Sequence, residues 1–336
     1  MLKEAALYER RDEDKVACFL CSHRCNIPPG KFGICNVREN VDGRLFTHSY
    51  GMLIARHIDP VEKKPLYHFK PGSLSYSIAA AGCNFQCEFC QNWEISQVRE
   101  ARRLGLQAFK AEPKQVVDAA LRSGCLSISY TYTEPTIYFE LARDIGMLAK
   151  EAALANNFVT NGFMTDECLR EARPFLDAAN VDLKSFRDDY YRKTCKGRLE
   201  PVLKSIAKMR EHGVWVEVTT LIVPGLNDTD DELKGIASYL AKLDADIPWH
   251  ISRFHPQYKM GHVQSTPMET LDRAYRIGRE AGLRYVYQGN VMGNRNHTYC
   301  YNCNRLLVER TGFNISRNEM DEGKCPECGT SVAGMK

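Results

Sequence analysis

"GCNFQCEFCQNW", residues 82–93, holds three cysteines, Cys83, Cys87 and Cys90, in the spacing Cys-x3-Cys-x2-Cys, with no fourth. The stretch follows an apolar run, "LSYSIAA" (74–80), that opens an alternation of strand and helix patterns lasting to about residue 290. Further strand candidates are "LSISYT" (126–131), "NNFVT" (156–160), "NVDL" (180–183), "VWVEVTTLIV" (214–223), "WHISRF" (249–254) and "LRYVYQ" (283–288). Between them lie helical patterns. "PKQVVDAALRSG" opens on proline and stops at Gly124, "PTIYFELARDIGMLAKEAAL" follows the second strand, and "DDELKGIASYLAKL" precedes the sixth. Repeated alternation predicts a parallel sheet, and six or seven units predict a full or partial barrel. The expectation is an α/β fold, a partial (β/α)6-type TIM barrel over residues 72–290. Small Cys-rich modules flank it at 1–71 and 291–336.

A parallel barrel carries its active site at the C-terminal ends of its strands. The first strand runs into the three-cysteine loop, and the second into "YTEP" with Thr133 and Glu134. "TNG" with Asn161 follows the third, and "DLK" with Asp182 and Lys184 ends the fourth. The fifth contains Glu217 and Thr219, the sixth leads from His250 to His255, and the seventh ends at Gln288 and Asn290. Any one of these could be a satisfied structural group; together they mark one rim.

Composition sets the surroundings. The 336 residues are 44% hydrophobic and 26% charged, enough to bury a large core. Forty-five basic residues against 42 acidic ones leave a net charge of +3, too balanced to predict nucleic-acid or membrane binding. The start, "MLKEAALYERRDEDK", has no apolar core of a leader, and no run approaches the roughly 20 apolar residues of a membrane span. A cytoplasmic protein is expected. In that compartment 14 cysteines point to metal rather than to disulfides. Cys125, Cys168 and Cys195 stand apart and read as buried small hydrophobes.

A 4Fe-4S cluster normally takes four thiolates. Three leave one iron open to an outside chelator, and zinc would want a closed set of four. With the aromatic Phe89 before the last cysteine, the stretch resembles the radical S-adenosylmethionine superfamily. That resemblance implies a 4Fe-4S cluster on Cys83, Cys87 and Cys90 and S-adenosylmethionine chelated to its open iron. Reductive cleavage then yields a 5'-deoxyadenosyl radical that abstracts hydrogen from a substrate. Within the superfamily, "YTEP", "TNG", "DLK" and "FHP" fall in the order seen in pyruvate formate-lyase activating enzymes. By that resemblance Glu134 and the Thr133 backbone hold the methionyl ammonium, Asn161 and Lys184 lie near the ribose and carboxylate, His255 lines the nucleoside, and Phe89 is a further cofactor-binding residue. Val159 stands where those activases often carry aspartate. One carboxylate of their monovalent-cation site is therefore missing, while Asp182 remains. "DPVEKKPLYHFKPGS" and "YVYQGN", with the terminal cysteine pairs, resemble more specifically the AmmeMemoRadiSam-system radical enzymes. This implies AMMECR- and Memo-type proteins as partners, beside a reductant such as flavodoxin or ferredoxin.

Cys300-x2-Cys303 and Cys325-x2-Cys328, 21 residues apart, have zinc-ribbon spacing, and Gly329 suits a knuckle turn. Residues 291–336 carry six Lys and Arg against five acids, which gives nucleic-acid binding little support. Cys18, Cys21, Cys25 and Cys35 allow either a structural zinc or an auxiliary cluster, zinc being favoured. Three function classes follow: a radical enzyme acting on a protein or peptide residue, which leads, one acting on a small molecule, and a noncatalytic metal-binding adaptor. The adaptor leaves "YTEP", "TNG" and "DLK" without a purpose.

Overall fold

The computed structural model describes residues 2–334 apart from Met292 and Asn294. The chain enters the central sheet through β1 (Ala55–Pro60) and continues into β2 (Leu74–Ala79). Six helix–strand pairs follow: α1 (Pro113–Arg122) and β3 (Ser127–Tyr130), α2 (Phe139–Glu151) and β4 (Ala155–Thr160), α3 (Asp166–Ala172) and β5 (Ala178–Asp182). Then come α4 (Leu199–Glu211) and β6 (Trp215–Ile222), α5 (Asp230–Leu243) and β7 (Trp249–Arg253), α6 (Met268–Glu280) and β8 (Val286–Gly289).

Among the described residues these strands form one eight-stranded sheet whose neighbours run in chain order. β2 to β8 are parallel throughout, and β1 joins antiparallel to β2. Parallel crossovers share one hand. A sheet in strict chain order therefore has no switch point, keeps its helices on one side and curls toward a barrel. The expected partial barrel is present, with a seventh parallel strand beyond the sixth helix. The sequence pattern gave no sign of β1. It is a polar edge strand, and Ile58 on it stays half exposed.

Local chemistry sets the helix bounds. In α1, Pro113 occupies the first turn, where its missing N–H costs nothing, and Glu112 and Gln115 form a reciprocal capping box. Val116, Val117 and Ala120 make its buried stripe, and Gly124 at φ 66° ends the segment. Thr229 caps α5, where Asp230, Asp231 and Glu232 favour the positive end of the helix dipole.

The face of the sheet away from the helices is polar. Ser75 and Ser129 are hydroxyl-bonded at 2.5 Å, Ser129 donates to Asn157 at 2.7 Å, and Asn180 donates to the Pro65 carbonyl at 2.8 Å. Segment 61–72 crosses this face. The backbone N–H groups of Tyr67 and His68 donate to the two Glu217 oxygens at 2.9 and 2.8 Å. His250 Nε2 lies 2.6 Å from the same carboxylate.

The C-terminal module is a three-stranded ribbon, with β9 (Leu306–Thr311) and β10 (Asn314–Asn318) between two cysteine turns. Arg310, fully buried, fastens it by donating to the carbonyls of Asn296 and Tyr67. The N-terminal segment forms two small three-stranded sheets.

Candidate active site

The three-cysteine loop leaves the C-terminal end of β2, on the rim expected from the strand order. Gly82, at φ 115°, admits the turn; a Cβ there would lie 3.1 Å from Val37 and 3.3 Å from Val98. Cys87 is buried, and Cys83 and Cys90 are partly so. The Phe85 N–H donates to the Cys83 sulfur at 3.3 Å, and the Ser96 hydroxyl lies 3.2 Å from the Cys90 sulfur. Burial pushes the Cys83 thiol well up, helped by the charge of Glu134, and pushes Cys90 up with Cys87 as the next cause. The Cys195 thiol instead lowers the pKa of Cys87; unliganded, Cys83 and Cys90 favour their protonated forms, so binding a metal group here releases protons.

Three other strand ends close around the loop. The "YTEP" turn reverses at Tyr132, whose φ of 63° is a left-handed conformation costing a non-glycine residue about 1–3 kcal/mol. The Thr133 hydroxyl donates to the Ala80 carbonyl at 2.7 Å, fastening this turn to the start of the cysteine loop. Glu134 is buried and its carboxylate is crowded. Oε1 accepts from the Thr136 N–H at 3.0 Å, the Thr136 hydroxyl at 2.5 Å and the Thr160 hydroxyl at 2.7 Å. Oε2 accepts from the Asn161 N–H at 2.8 Å. Burial still holds the Glu134 carboxyl above its usual range, these donors working against it. In "TNG", the Asn161 side-chain N–H donates to Asn84 Oδ1 at 2.7 Å and lies 3.7 Å from the Cys83 sulfur. Gly162 (φ 68°) is required there, since a Cβ would sit 2.7 Å from Val181.

Lys184 Nζ bonds Asp182 at 2.9 Å and stands 5.7 Å from the centre of the Phe89 ring. Burial opposes its charge. Asp182, with the Cys87 and Cys195 thiols, outweighs that and holds the ammonium well above the usual lysine range. Cys83, Glu134 and Asn161 thus form one group, and Cys87, Phe89, Asp182 and Lys184 another, both around the same loop. His255 stands farther out, exposed, on a cavity of about 490 Å³ that also borders Gln91, Asn290, Asn296 and Phe313. Gln91 directly follows Cys90, so the cavity begins at the cysteine loop. Glu217 and His250 are not part of the rim. They are buried against segment 61–72 as described above.

Several residues escaped the sequence reading. Asn84 joins Asn161 to His23, whose Nε2 lies 2.8 Å from the Asn84 carbonyl. Cys195 is buried like Cys125 and Cys168, as expected of all three, but its thiol also bonds that of Cys87. Inside the barrel, Asn157 Nδ2, Asn180 Oδ1 and Thr219 Oγ1 are buried without a hydrogen-bond partner among the described residues. Such orphaned groups in a concave face suit a polar ligand. The donor set of the loop, three thiols and no fourth, fits a 4Fe-4S cluster with one iron free.

The C-terminal thiols are arranged differently. Cys300, Cys303, Cys325 and Cys328 place their sulfurs within 4.8 Å of one another, with Cys300–Cys328 and Cys303–Cys325 both at 3.6 Å. A tetrahedral zinc with Zn–S bonds of about 2.3 Å has sulfur edges of roughly 3.8 Å. Each pair sits in a turn closed by a left-handed residue, Asn304 (φ 60°) and Gly329 (φ 69°).

The sequence model of the Radical SAM superfamily matches residues 77–240. The uncharacterized protein MJ0808 of Methanocaldococcus jannaschii is 43% identical over 335 residues, covering 98% of this chain and 99% of that one, both Cys-rich ends included. Pyruvate formate-lyase 1-activating enzyme of Escherichia coli K12 is 20% identical, over 61% of this chain and 89% of its own. A radical SAM methyltransferase from Sphaerobacter thermophilus shares the fold, with a TM-score of 0.52 at 18% identity over 66% of this chain and 68% of that one.

Proposed function

Because the chain belongs to the radical SAM superfamily, we propose that Cys83, Cys87 and Cys90 hold three irons of a 4Fe-4S cluster, that S-adenosylmethionine takes the fourth, and that the hydrogen donor is a protein or peptide residue. When bound, the reduced cluster and S-adenosylmethionine supply the 5'-deoxyadenosyl radical that removes the substrate hydrogen. The chain's residues do the holding. Lys184 offers its ammonium to the methionyl carboxylate, and Asp182 keeps that ammonium oriented. Glu134 fixes the turn whose backbone receives the methionyl ammonium, while Asn157, Asn180 and Thr219 offer unsatisfied polar atoms on the barrel face. The C-terminal four-thiol turn takes zinc and serves as a folding staple. Electrons come from a flavodoxin- or ferredoxin-type donor.

The observation that carries the peptide reading is the lining of the cavity beside Cys90. Carboxamides of Gln91, Asn290 and Asn296 border it, with no carboxylate, lysine or arginine among the described lining residues. Asn296 Oδ1 is buried without a donor among the described residues, an acceptor suited to a peptide N–H. A small-molecule substrate is the second reading, favoured by the volume of about 490 Å³, which lies within the range of small-ligand pockets. The test is anaerobic reconstitution with iron, sulfide and dithionite, followed by assay of 5'-deoxyadenosine. Deuterium carried from labelled peptides or labelled metabolites into that product separates the two readings. Absence of any 5'-deoxyadenosine from protein with a full cluster sinks both.

A further inference from the structure

The three clusters of cysteines differ in how far apart their sulfurs are held. The C-terminal four close to single-ion spacing. Among the described residues no other three thiol, imidazole or carboxylate groups converge within 4.8 Å. Cys83, Cys87 and Cys90 stay wider, as a cubane of eight atoms requires. No three of Cys18, Cys21, Cys25 and Cys35 close in that way either, yet the chain gathers them into one module, the Cys18 N–H donating to the Cys25 carbonyl at 2.9 Å. The Cys21 thiol feels those of Cys18, Cys35 and Cys25, and the Cys35 thiol feels those of Cys18 and Cys25. Four thiols gathered in one small module without closing to single-ion spacing suit a body larger than one ion.

We propose that Cys18, Cys21, Cys25 and Cys35 ligate a second 4Fe-4S cluster, closed by four thiolates, rather than the zinc that four cysteines suggest by count. The comparison rests on the reading that the central triplet holds the first cluster. Two further observations support it. Arg38, buried, donates to the Cys18 sulfur at 3.4 Å and pairs with the buried carboxylate of Glu140. Hydrogen bonds to ligand sulfurs and burial are what set a cluster's potential. The quartet is also built onto the active-site loop. Cys21 bridges Met164, the Ser22 N–H donates to the Phe163 carbonyl at 3.0 Å, and His23 reaches the Asn84 carbonyl beside Cys83. The second cluster therefore sits behind the first, with Asn84 and His23 between them.

The test is metal and sulfide analysis with Mössbauer spectroscopy on anaerobically reconstituted protein, wild type and the Cys83→Ala/Cys87→Ala/Cys90→Ala variant. Two cubanes predict about eight iron and eight sulfide per wild-type chain, all in 4Fe-4S spectra, and about four of each in the variant. Cys35→Ser should halve wild-type iron while keeping the spectrum of the open-site cluster and its response to added S-adenosylmethionine. About four iron with two zinc in the wild type, and none of that iron in the triple variant, overturns the inference and leaves the proposed function standing. About four iron kept in full by the triple variant does the opposite: it supports the terminal site and sinks the assignment of the triplet.

Discussion

Asn161 and Asn84 are locked amide to amide, Nδ2 of one donating to Oδ1 of the other at 2.7 Å, so that the end of β4 grips the cysteine loop. Asn161 Oδ1 meanwhile accepts from the Phe163 N–H at 3.0 Å, which fixes its orientation. Replacing Asn161 by Ala removes the grip and leaves the Asn84 amide buried. A loss of about 1 kcal/mol is expected for the hydrogen bond, with iron lost to a ferrous chelator several-fold faster than from wild type. Equal rates of iron loss would show that the loop needs no anchor.

Glu134→Gln tests a different role. The carboxylate accepts from four donors, and a carboxamide nitrogen cannot accept. One oxygen can still serve Thr136 and Thr160, but the Asn161 N–H would then meet an N–H. A buried unsatisfied donor costs about 1–3 kcal/mol. Denaturant midpoints should fall accordingly, and S-adenosylmethionine affinity should fall with them because the turn loosens. An unchanged midpoint with lost affinity would return Glu134 to a purely ligand-binding role.

Lys184→Gln should act on the cofactor alone. The ammonium lies beside Asp182, Phe89 and the Cys87 and Cys195 thiols, and in the proposed function it meets the methionyl carboxylate. Affinity for S-adenosylmethionine, read by calorimetry on cluster-loaded protein, should weaken about tenfold, or roughly 1.4 kcal/mol. Iron content should stay at the wild-type value. A variant that binds the cofactor normally removes Lys184 from the site.

Legibility followed whatever is local in the chain. β2 to β8 were readable because each is a short apolar run between turn or helix signals, and the three-thiol loop because its spacing is contiguous. β1 was not, since a half-exposed edge strand such as "ARHIDP" carries no alternation. That Cys195 touches Cys87 and that Asn84 joins His23 to Asn161 depend on the N-terminal segment and the helical turn Tyr191–Cys195 being folded against the cysteine loop, which no spacing records. Glu134 was legible as a rim residue beyond the end of β3. Its four donors were not, because three residues supply them and two of these lie at the end of the next strand.

The C-terminal turn should bind one zinc per chain tightly enough to matter for folding. Its four sulfurs already stand at tetrahedral spacing, and the module carrying them packs through Tyr285, Tyr287 and Val308 onto the last barrel strand. Cys303→Ser should abolish that zinc, and thermal unfolding should begin at a lower temperature in wild-type protein stripped by a strong chelator. Iron recovered at this site in place of zinc, in a mononuclear spectrum, would reassign the ion while keeping the fold role.

The docking of this module should depend on pH through His68. The imidazole is fully buried, its Nδ1 2.8 Å from the Ala333 carbonyl and its Nε2 2.6 Å from the Tyr287 hydroxyl. Nδ1–H therefore donates and Nε2 accepts, which is the neutral ring. Burial pushes its pKa down to about 4; Glu217 and the Ala333 carbonyl pull the other way, and Arg310 and His250 add to the depression. Unfolded, the ring takes up a proton near pH 6.5, while the folded protein refuses one until about pH 4. The stability this gives is whole above the unfolded value and is lost as the pH falls through that window. Between about pH 7.5 and about pH 5 the loss is roughly 2 kcal/mol. His68→Gln, which cannot titrate, should be less stable than wild type at the upper end, where the ring's hydrogen bonds are missing, and should lose less on acidification. Parallel stability curves for the two proteins across that range would show that His68 does not hold the neutral state.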